Sequence, residues 1–284
     1  MARRNSRAAV AAFGLLGLLA ACGGDDASSD DAAADNAAAA TGRAGAGAGA
    51  SDAGVGVDGS IRVLAAASLT DAFDDVGAAF EAANPGAGVE FAYGGSSDLR
   101  EQVVAGVPAD VFASANASNM AAVVDAGAVA GEPESFVTNA LEIVVPAGNA
   151  AGVEGLEDFA DEGLLIGLCA EQVPCGEFGR EVLANAGVTP APDTEEPDVR
   201  SLLDRVASGE LDAGIVYVTD VLAAGDSVEG IAVPDDVNVV AEYPIAALTG
   251  SGEPETAQAF VDFVLSAEGQ EILGSYGFGP PGRE

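Results

Sequence analysis

Short apolar runs alternate with segments of helical periodicity from residue 61 onward. Residues 61–67 form a short run that is apolar except for Arg62, which is typical of a strand buried in a parallel sheet. Leu69, Phe73, Val76 and Phe80 follow it at helical spacing. The alternation predicts an α/β fold with parallel-type sheets and helices on both faces.

The same alternation occurs twice along the chain and predicts two lobes. Lobe 1 is predicted to consist of residues 61–140 and 245–284, and lobe 2 of residues 141–244. The chain is predicted to cross between the lobes at 140–146 and 239–243. A single closing helix over 255–273 is expected to pack back on lobe 1. The strands predicted after the first are 89–93, 109–114, 140–146, 164–168, 213–218 and 239–248.

The charge balance excludes several classes of function. The chain has 46 Asp plus Glu against 10 Arg, no Lys and no His, for a formal net charge of -36. A nucleic-acid partner is excluded because phosphate backbones need clustered basic residues. Without His there is neither a Ser-His-Asp triad nor a His metal site.

The N-terminus predicts export. Arg3, Arg4 and Arg7 precede an apolar run at 8–21, and its length of about 14 residues is short of the roughly 20 needed to span a bilayer. The run resembles a bacterial lipoprotein signal at 1–21 followed by a lipidated Cys22. That resemblance implies anchoring on the outer face of the cytoplasmic membrane; the alternative is an ordinary secretory signal with Cys22 incidental. Residues 22–60 are predicted to be a disordered acidic Gly/Ala tether.

Hydroxyl groups and glycines stand where predicted strands end and helices begin. Ser68 follows the first strand, the run Gly94-Gly95-Ser96-Ser97 follows the second, and Tyr217 ends a later one. Ser68-Leu69-Thr70-Asp71 also has N-cap chemistry, so a cap or turn explains each position taken alone. Several helix N-termini converging at one place predict an anion site that needs no cation.

The motifs taken together resemble the molybdate-binding proteins of bacterial molybdate ABC importers. They occur in the family's order over essentially all of 61–284. The matching strings are Ala65-Ala66-Ala67-Ser68-Leu69, Pro108-Ala109-Asp110-Val111-Phe112, Asp198-Val199-Arg200, Gly214-Ile215-Val216-Tyr217 and Glu242-Tyr243-Pro244. The resemblance implies a two-lobed class II periplasmic-binding-protein fold. It also implies a monomeric solute-binding protein, not an enzyme and without cofactor, that passes molybdate or tungstate to an ABC permease.

The resemblance also implies a set of oxyanion ligands. Ser68 and Ser96 would donate hydroxyl and backbone N–H bonds, Cys175 and Val199 backbone N–H bonds, and Tyr217 its hydroxyl. No residue would ligate a cation directly. Because Gly94-Gly95 replaces a hydroxyl-rich stretch of the family, Ser96 and Ser97 both stay candidates for the direct ligand.

Cys169 and Cys175 are predicted to form a disulfide, since disulfides persist in exported proteins. Two reduced thiols are the alternative, and a metal site is disfavoured because the chain has no His.

Three other functions compete with molybdate binding. They are binding of another tetrahedral oxyanion such as sulfate, an exported enzyme, and an acidic surface module.

Overall fold

A nine-stranded sheet forms the centre of the structure, a computed structural model that describes residues 56–282. The strand order is β2-β1-β3-β9-β4-β7-β5-β6, and β8 pairs with β4. The strands are β1 Asp58–Ala66, β2 Gly86–Gly94, β3 Val111–Ala113, β4 Glu134–Pro146, β5 Ile166–Cys169, β6 Thr194–Glu196, β7 Ala213–Tyr217, β8 Val228–Ala232 and β9 Val240–Ala247.

Helices connect most of these strands, which confirms the predicted α/β class. The α-helices are α1 Thr70–Ala83, α2 Ser96–Val104, α3 Ala117–Asp125, α4 Pro174–Asn185, α5 Val199–Ala207, α6 Val218–Ala224, α7 Pro254–Leu265 and α8 Ala267–Ser275. Short 3-10 segments lie at Ala67–Leu69, Leu156–Ala160 and Gly225–Ser227.

The sheet is mixed rather than parallel throughout. β1 is parallel to β2 and β3, and β5 is parallel to β6 and β7. β9 is antiparallel to β3 and β4, while β4 is antiparallel to β7 and β8. β4 and β9 pair antiparallel because the chain runs along the sheet in one direction in β4 and returns beside it in the other direction in β9.

β4 changes partners partway along its length and thereby joins two sheet regions. Its residues up to Ala140 pair with β9, and those from Leu141 onward pair with β7 or β8. The Asn238 side chain bonds the Leu141 N–H at 3.2 Å and its carbonyl at 2.9 Å, directly at the change. We call β2, β1, β3 and β9 the first sheet region, and β7, β5, β6 and β8 the second sheet region.

The described residues belong to one compact unit, so the division into two lobes stays a prediction. β9 pairs with β4 from Val240 onward and with β3 of the first sheet region from Ile245 onward. β1 begins at Asp58 and pairs there with Gly86, so the predicted tether extends too far toward the C-terminus. The predicted signal, Cys22 and most of the tether lie outside the described residues.

The prediction of one closing helix over 255–273 is wrong, because the chain is extended at Ser266 and separates α7 from α8. The Ser266 side chain accepts from the Gly269 N–H at 3.2 Å and caps α8. α7 packs against α1, where Phe260 meets Phe73 and Phe80 at ring-centroid distances of 6.1 and 5.4 Å.

Within residues 56–282, no helix combines the length and apolar character needed to cross a membrane.

Candidate functional site

A small cavity between the two sheet regions contains all the predicted oxyanion ligands in its lining. It leaves about 10 Å³ for the centre of a water-sized sphere, which is about the room that one water molecule needs. Each predicted ligand is at most 4% exposed. These residues are Ser68, Ser96, Cys175, Val199 and Tyr217.

Three α-helices begin at this cavity. Ser96 is the first residue of α2 and Val199 the first of α5, so neither N–H has an acceptor within its helix. α4 begins with Pro174, which has no N–H, and Cys175 therefore carries its first donor. The helix dipoles add partial positive charge at the same point. The cavity thus presents backbone donors from both sheet regions.

The Ser68 hydroxyl is not a helix cap, contrary to the N-cap chemistry of its sequence. Ser68 lies inside a 3-10 segment, Ala67–Leu69, and α1 begins only at Thr70 without a side-chain cap bond. The Ser68 Oγ instead lies 2.9 Å from the Tyr243 hydroxyl in a buried contact. The helix start therefore does not consume this hydroxyl.

Ser96 and Ser97 differ in what their hydroxyls face. Ser96 lines the cavity, and its Oγ accepts the Ala115 backbone N–H at 3.0 Å. Because an N–H can only donate, the Ser96 proton remains available to a bound ligand. The Ser97 side chain is equally buried but does not line the cavity, and its Oγ has no hydrogen-bond partner among the described residues.

Tyr217 presents a buried hydroxyl with no hydrogen-bond partner within residues 56–282. Burial raises the pKa of this phenol well above its ordinary value, so the group keeps its proton. Its backbone N–H is already bonded to Asp220 Oδ2 at 3.1 Å. An unpaired buried O–H costs about 1–3 kcal/mol, which an acceptor in the cavity would recover.

A short disulfide loop carries Cys175. Cys169 and Cys175 are bonded, with their Cα atoms 5.7 Å apart. Arg180 Nη1 donates to the carbonyls of Cys169 at 2.7 Å and Gly176 at 3.1 Å. A Cβ at Gly176 would lie 1.9 Å from the Ala170 carbonyl oxygen, so only glycine fits. The loop is therefore constrained in the conformation that directs Cys175 to the cavity.

No cationic side chain lines the cavity within the described part of the chain. Asp198 does line it, but its carboxylate caps α5, accepting from the Ser201 N–H at 2.9 Å and hydroxyl at 3.0 Å. The same part of the chain contains no group of three or more acidic or Cys side chains placed to hold a metal ion. The donors available to a ligand are therefore neutral N–H and O–H groups.

Arg200, next to Val199, is bound to two carboxylates. Its Nη2 lies 2.5 Å from Asp71 Oδ2 on α1, and its Nε lies 3.1 Å from Asp220 Oδ1 on α6. Burial raises the pKa of Asp220 to about 6, and the Arg200 charge opposes that rise. Asp71 is on α1, which follows β1 of the first sheet region, whereas Arg200 and Asp220 are on helices that follow strands of the second sheet region. The Arg200–Asp71 ion pair therefore joins the two regions beside the cavity.

Two further contacts join the regions around the cavity. The Asn116 amide on the first region's side donates to Glu177 Oε2 on α4 at 2.7 Å. Gly95 lies against Pro197, where an added Cβ would sit 2.6 Å from the Pro197 carbonyl oxygen. Sequence reasoning missed these contacts, and the Gly94-Gly95 dipeptide was the one local signal for them.

Comparisons with known proteins agree on one family. Residues 61–279 match the model for the bacterial extracellular solute-binding proteins. The molybdate-binding protein of Mycobacterium tuberculosis is 41% identical over 222 residues, covering 78% of this chain and 85% of that protein. The Escherichia coli molybdate-binding protein is 32% identical over 234 residues, covering 78% and 89%.

A solved structure shows the same fold. The periplasmic molybdate-binding protein of Azotobacter vinelandii superposes with a TM-score of 0.70 at 19% identity, covering 78% of this chain and 100% of that one.

Gly95→Ala is expected to weaken anion binding by about tenfold or more, because the new methyl group clashes with the Pro197 backbone when the regions meet. Titration with molybdate, the ligand named for the relatives, measures the effect. Gly94→Ala is the matched control, since its Cβ would meet Leu99 at an ordinary 3.6 Å. Equal affinities for the two variants would contradict the assigned contact.

Proposed function

This chain belongs to the bacterial extracellular solute-binding proteins, and we propose that it captures molybdate outside the cytoplasm for import by an ABC transporter. The relatives named as molybdate-binding proteins support this ligand. Ser68, Ser96, Cys175, Val199 and Tyr217 are proposed as its hydrogen-bond donors.

The observation that carries the proposal is a cavity that is lined by buried residues and whose available donors are neutral. Burying a dianion without a countercharge costs many kcal/mol unless hydrogen bonds replace its hydration. Bonds from N–H and O–H groups to an anion are charge-assisted and roughly twice as strong as neutral ones. Hydroxyls at Ser96 and Tyr217, together with the first N–H groups of α2, α4 and α5, fit that requirement.

The same donors favour a fully ionised oxyanion. Hydrogen phosphate carries a proton that needs an acceptor, and the Asp198 carboxylate, the one acidic group that lines the cavity among the described residues, already accepts two hydrogen bonds from Ser201. Molybdate and tungstate carry no such proton at neutral pH, and tungstate is proposed as a second ligand. Sulfate is also fully ionised at neutral pH and is therefore the competing candidate. The protein would distinguish it from molybdate by how well the size of each ion fits the cavity.

We extend the proposal to the route of delivery. Cys22 is proposed to carry a lipid anchor that holds a monomeric protein at the outer face of the cytoplasmic membrane, where it meets its permease. The basic start, the apolar run and the small residues before Cys22 support this assignment. A purely binding role without cofactor is supported by the family and by the lack of His and Lys for acid–base chemistry.

Calorimetry of the full-length protein with molybdate, tungstate, sulfate and hydrogen phosphate tests the ligand. We expect tight binding of the first two and little of the last two, because the smaller sulfate ion cannot reach all the donors at once and the proton of hydrogen phosphate lacks a free acceptor. Binding of sulfate but not of molybdate would show that the protein is a sulfate-binding protein instead. Binding of none of these anions would refute the proposal.

Ser96→Ala is expected to weaken molybdate binding by about 1–3 kcal/mol, since it removes a donor from a buried anion. Ser97→Ala provides the matched control one residue away, and it should leave the affinity unchanged because Ser97 does not line the cavity. Calorimetric titration of both variants decides between the two serines. A larger loss for Ser97→Ala would reverse the assignment.

Cys22→Ser should release the protein from the membrane fraction of the expressing bacterium, because the serine hydroxyl cannot accept the thioether-linked lipid. Metabolic labelling with a radioactive fatty acid provides the direct measurement. Equal labelling of wild type and variant would contradict the assignment of Cys22.

A further inference from the structure

Tyr243 carries a buried hydroxyl behind the cavity that the binding site as described does not use. The residue is on β9, is 0% exposed and does not line the cavity. Its hydroxyl lies 2.9 Å from Ser68 Oγ, which does line the cavity. Burial raises the pKa of Tyr243 above its ordinary value, so the group is a neutral hydroxyl.

The direction of the Ser68–Tyr243 hydrogen bond determines what Ser68 offers a ligand. If Ser68 donates to Tyr243, its oxygen lone pairs face the cavity and repel an anion. If Tyr243 donates to Ser68, the Ser68 proton is free to bond the anion. Distance alone does not distinguish these cases, since either oxygen can be the donor.

Asn139 on β4 favours donation by Tyr243 to Ser68. Its Oδ1 accepts the Ala140 backbone N–H at 3.0 Å, which sets the orientation of the amide. Its Nδ2 therefore faces the Thr219 Oγ1 at 2.8 Å and the Tyr243 hydroxyl at 3.5 Å. An amide NH₂ group can only donate, so the Tyr243 oxygen is the acceptor in that contact.

We infer that Asn139 and Tyr243 are positioning residues that make Ser68 a hydrogen-bond donor to the bound anion. Asn139 donates to Tyr243, Tyr243 donates to Ser68, and Ser68 donates into the cavity. The chain of donors ends on the anion, and each bond in it polarises the next. The inference rests on the proposed function, because it assigns a role in binding an oxyanion.

The arrangement gives Ser68 what Ala115 gives Ser96. In both cases a protein donor occupies the serine oxygen and leaves the serine proton for the ligand. For Ser96 the donor is a backbone N–H, whose direction no substitution can alter. For Ser68 the donor is the Tyr243 side chain, so mutation can remove the hydrogen bond or reverse its direction.

A double-mutant cycle between Ser68→Ala and Tyr243→Phe tests whether Tyr243 acts through Ser68. Calorimetry of the full-length protein measures molybdate affinity. Tyr243→Phe alone is expected to lower it about three- to tenfold by removing one cooperative hydrogen bond. In the Ser68→Ala background the same change should have no further effect. Tyr276→Phe, which removes a hydroxyl bonded to exposed Asp75, is the matched control and should match wild type.

Asn139→Asp tests the direction itself. A carboxylate at 139 accepts from Tyr243, which then accepts from Ser68, so the serine lone pairs turn toward the anion. We expect at least about a tenfold loss of molybdate affinity at pH 8, most of it recovered when Tyr243→Phe is added. Simple repulsion between the new charge and the anion would instead cause the same loss in both backgrounds.

The outcomes separate this inference from the proposed function. A wild-type protein that does not bind molybdate refutes the proposed function. A wild type that binds, with Ser68→Ala and Tyr243→Phe effects that simply add, overturns the inference and leaves the function standing. Thermal melts show whether each variant folds; if Asn139→Asp does not, the cycle between Ser68 and Tyr243 decides alone.

Discussion

Under the proposed function, the cost of burying an anion without a countercharge is the constraint on which the arrangement of the cavity depends. Each sheet region brings helix N-termini to the same small cavity, and the first N–H groups of α2, α4 and α5 lie there without acceptors in their own helices. The hydroxyls of Ser96 and Tyr217 are protonated and free to donate. The contacts of Gly95 with Pro197 and Asn116 with Glu177 then keep both sets of donors around one volume.

A net charge of -36 is compatible with such a site because hydrogen bonds act locally. Among the described residues the buried carboxylates are Glu196 and Asp220, which lie within 2.6 Å of Arg205 and 3.1 Å of Arg200 respectively. The other acidic side chains are partly or fully exposed, where salt screens their fields beyond about 10 Å. Arg200 itself is committed to Asp71 and Asp220, so its charge stabilises the protein rather than the ligand.

Periodicity predicted the α/β class and most of the strands, and the family resemblance implied five of the residues that line the cavity. They did not predict features that depend on contacts between distant segments. β6 and β8 are short or exposed and have no apolar pattern, so only their pairing with β5 and β4 defines them. The break between α7 and α8 lies at Ser266, whose side chain caps α8. No proline stands at this position to mark the end of a helix in the sequence. Ser68 has the sequence of an N-cap, yet the 3-10 turn around it leaves its hydroxyl to Tyr243, 175 positions away. Tyr243 lies in a string that matches the family, but its contact with Asn139, 104 positions away, is visible only in the fold.

The most direct test of the account is a crystal structure of the protein with molybdate, using anomalous diffraction at the molybdenum edge to locate the metal. We predict a single molybdenum in the cavity, with its oxygens within about 3 Å of the Ser68, Ser96 and Tyr217 hydroxyls and of the Cys175 and Val199 nitrogens. An anomalous peak elsewhere, or an arginine side chain bonded directly to the anion, would contradict binding by neutral donors.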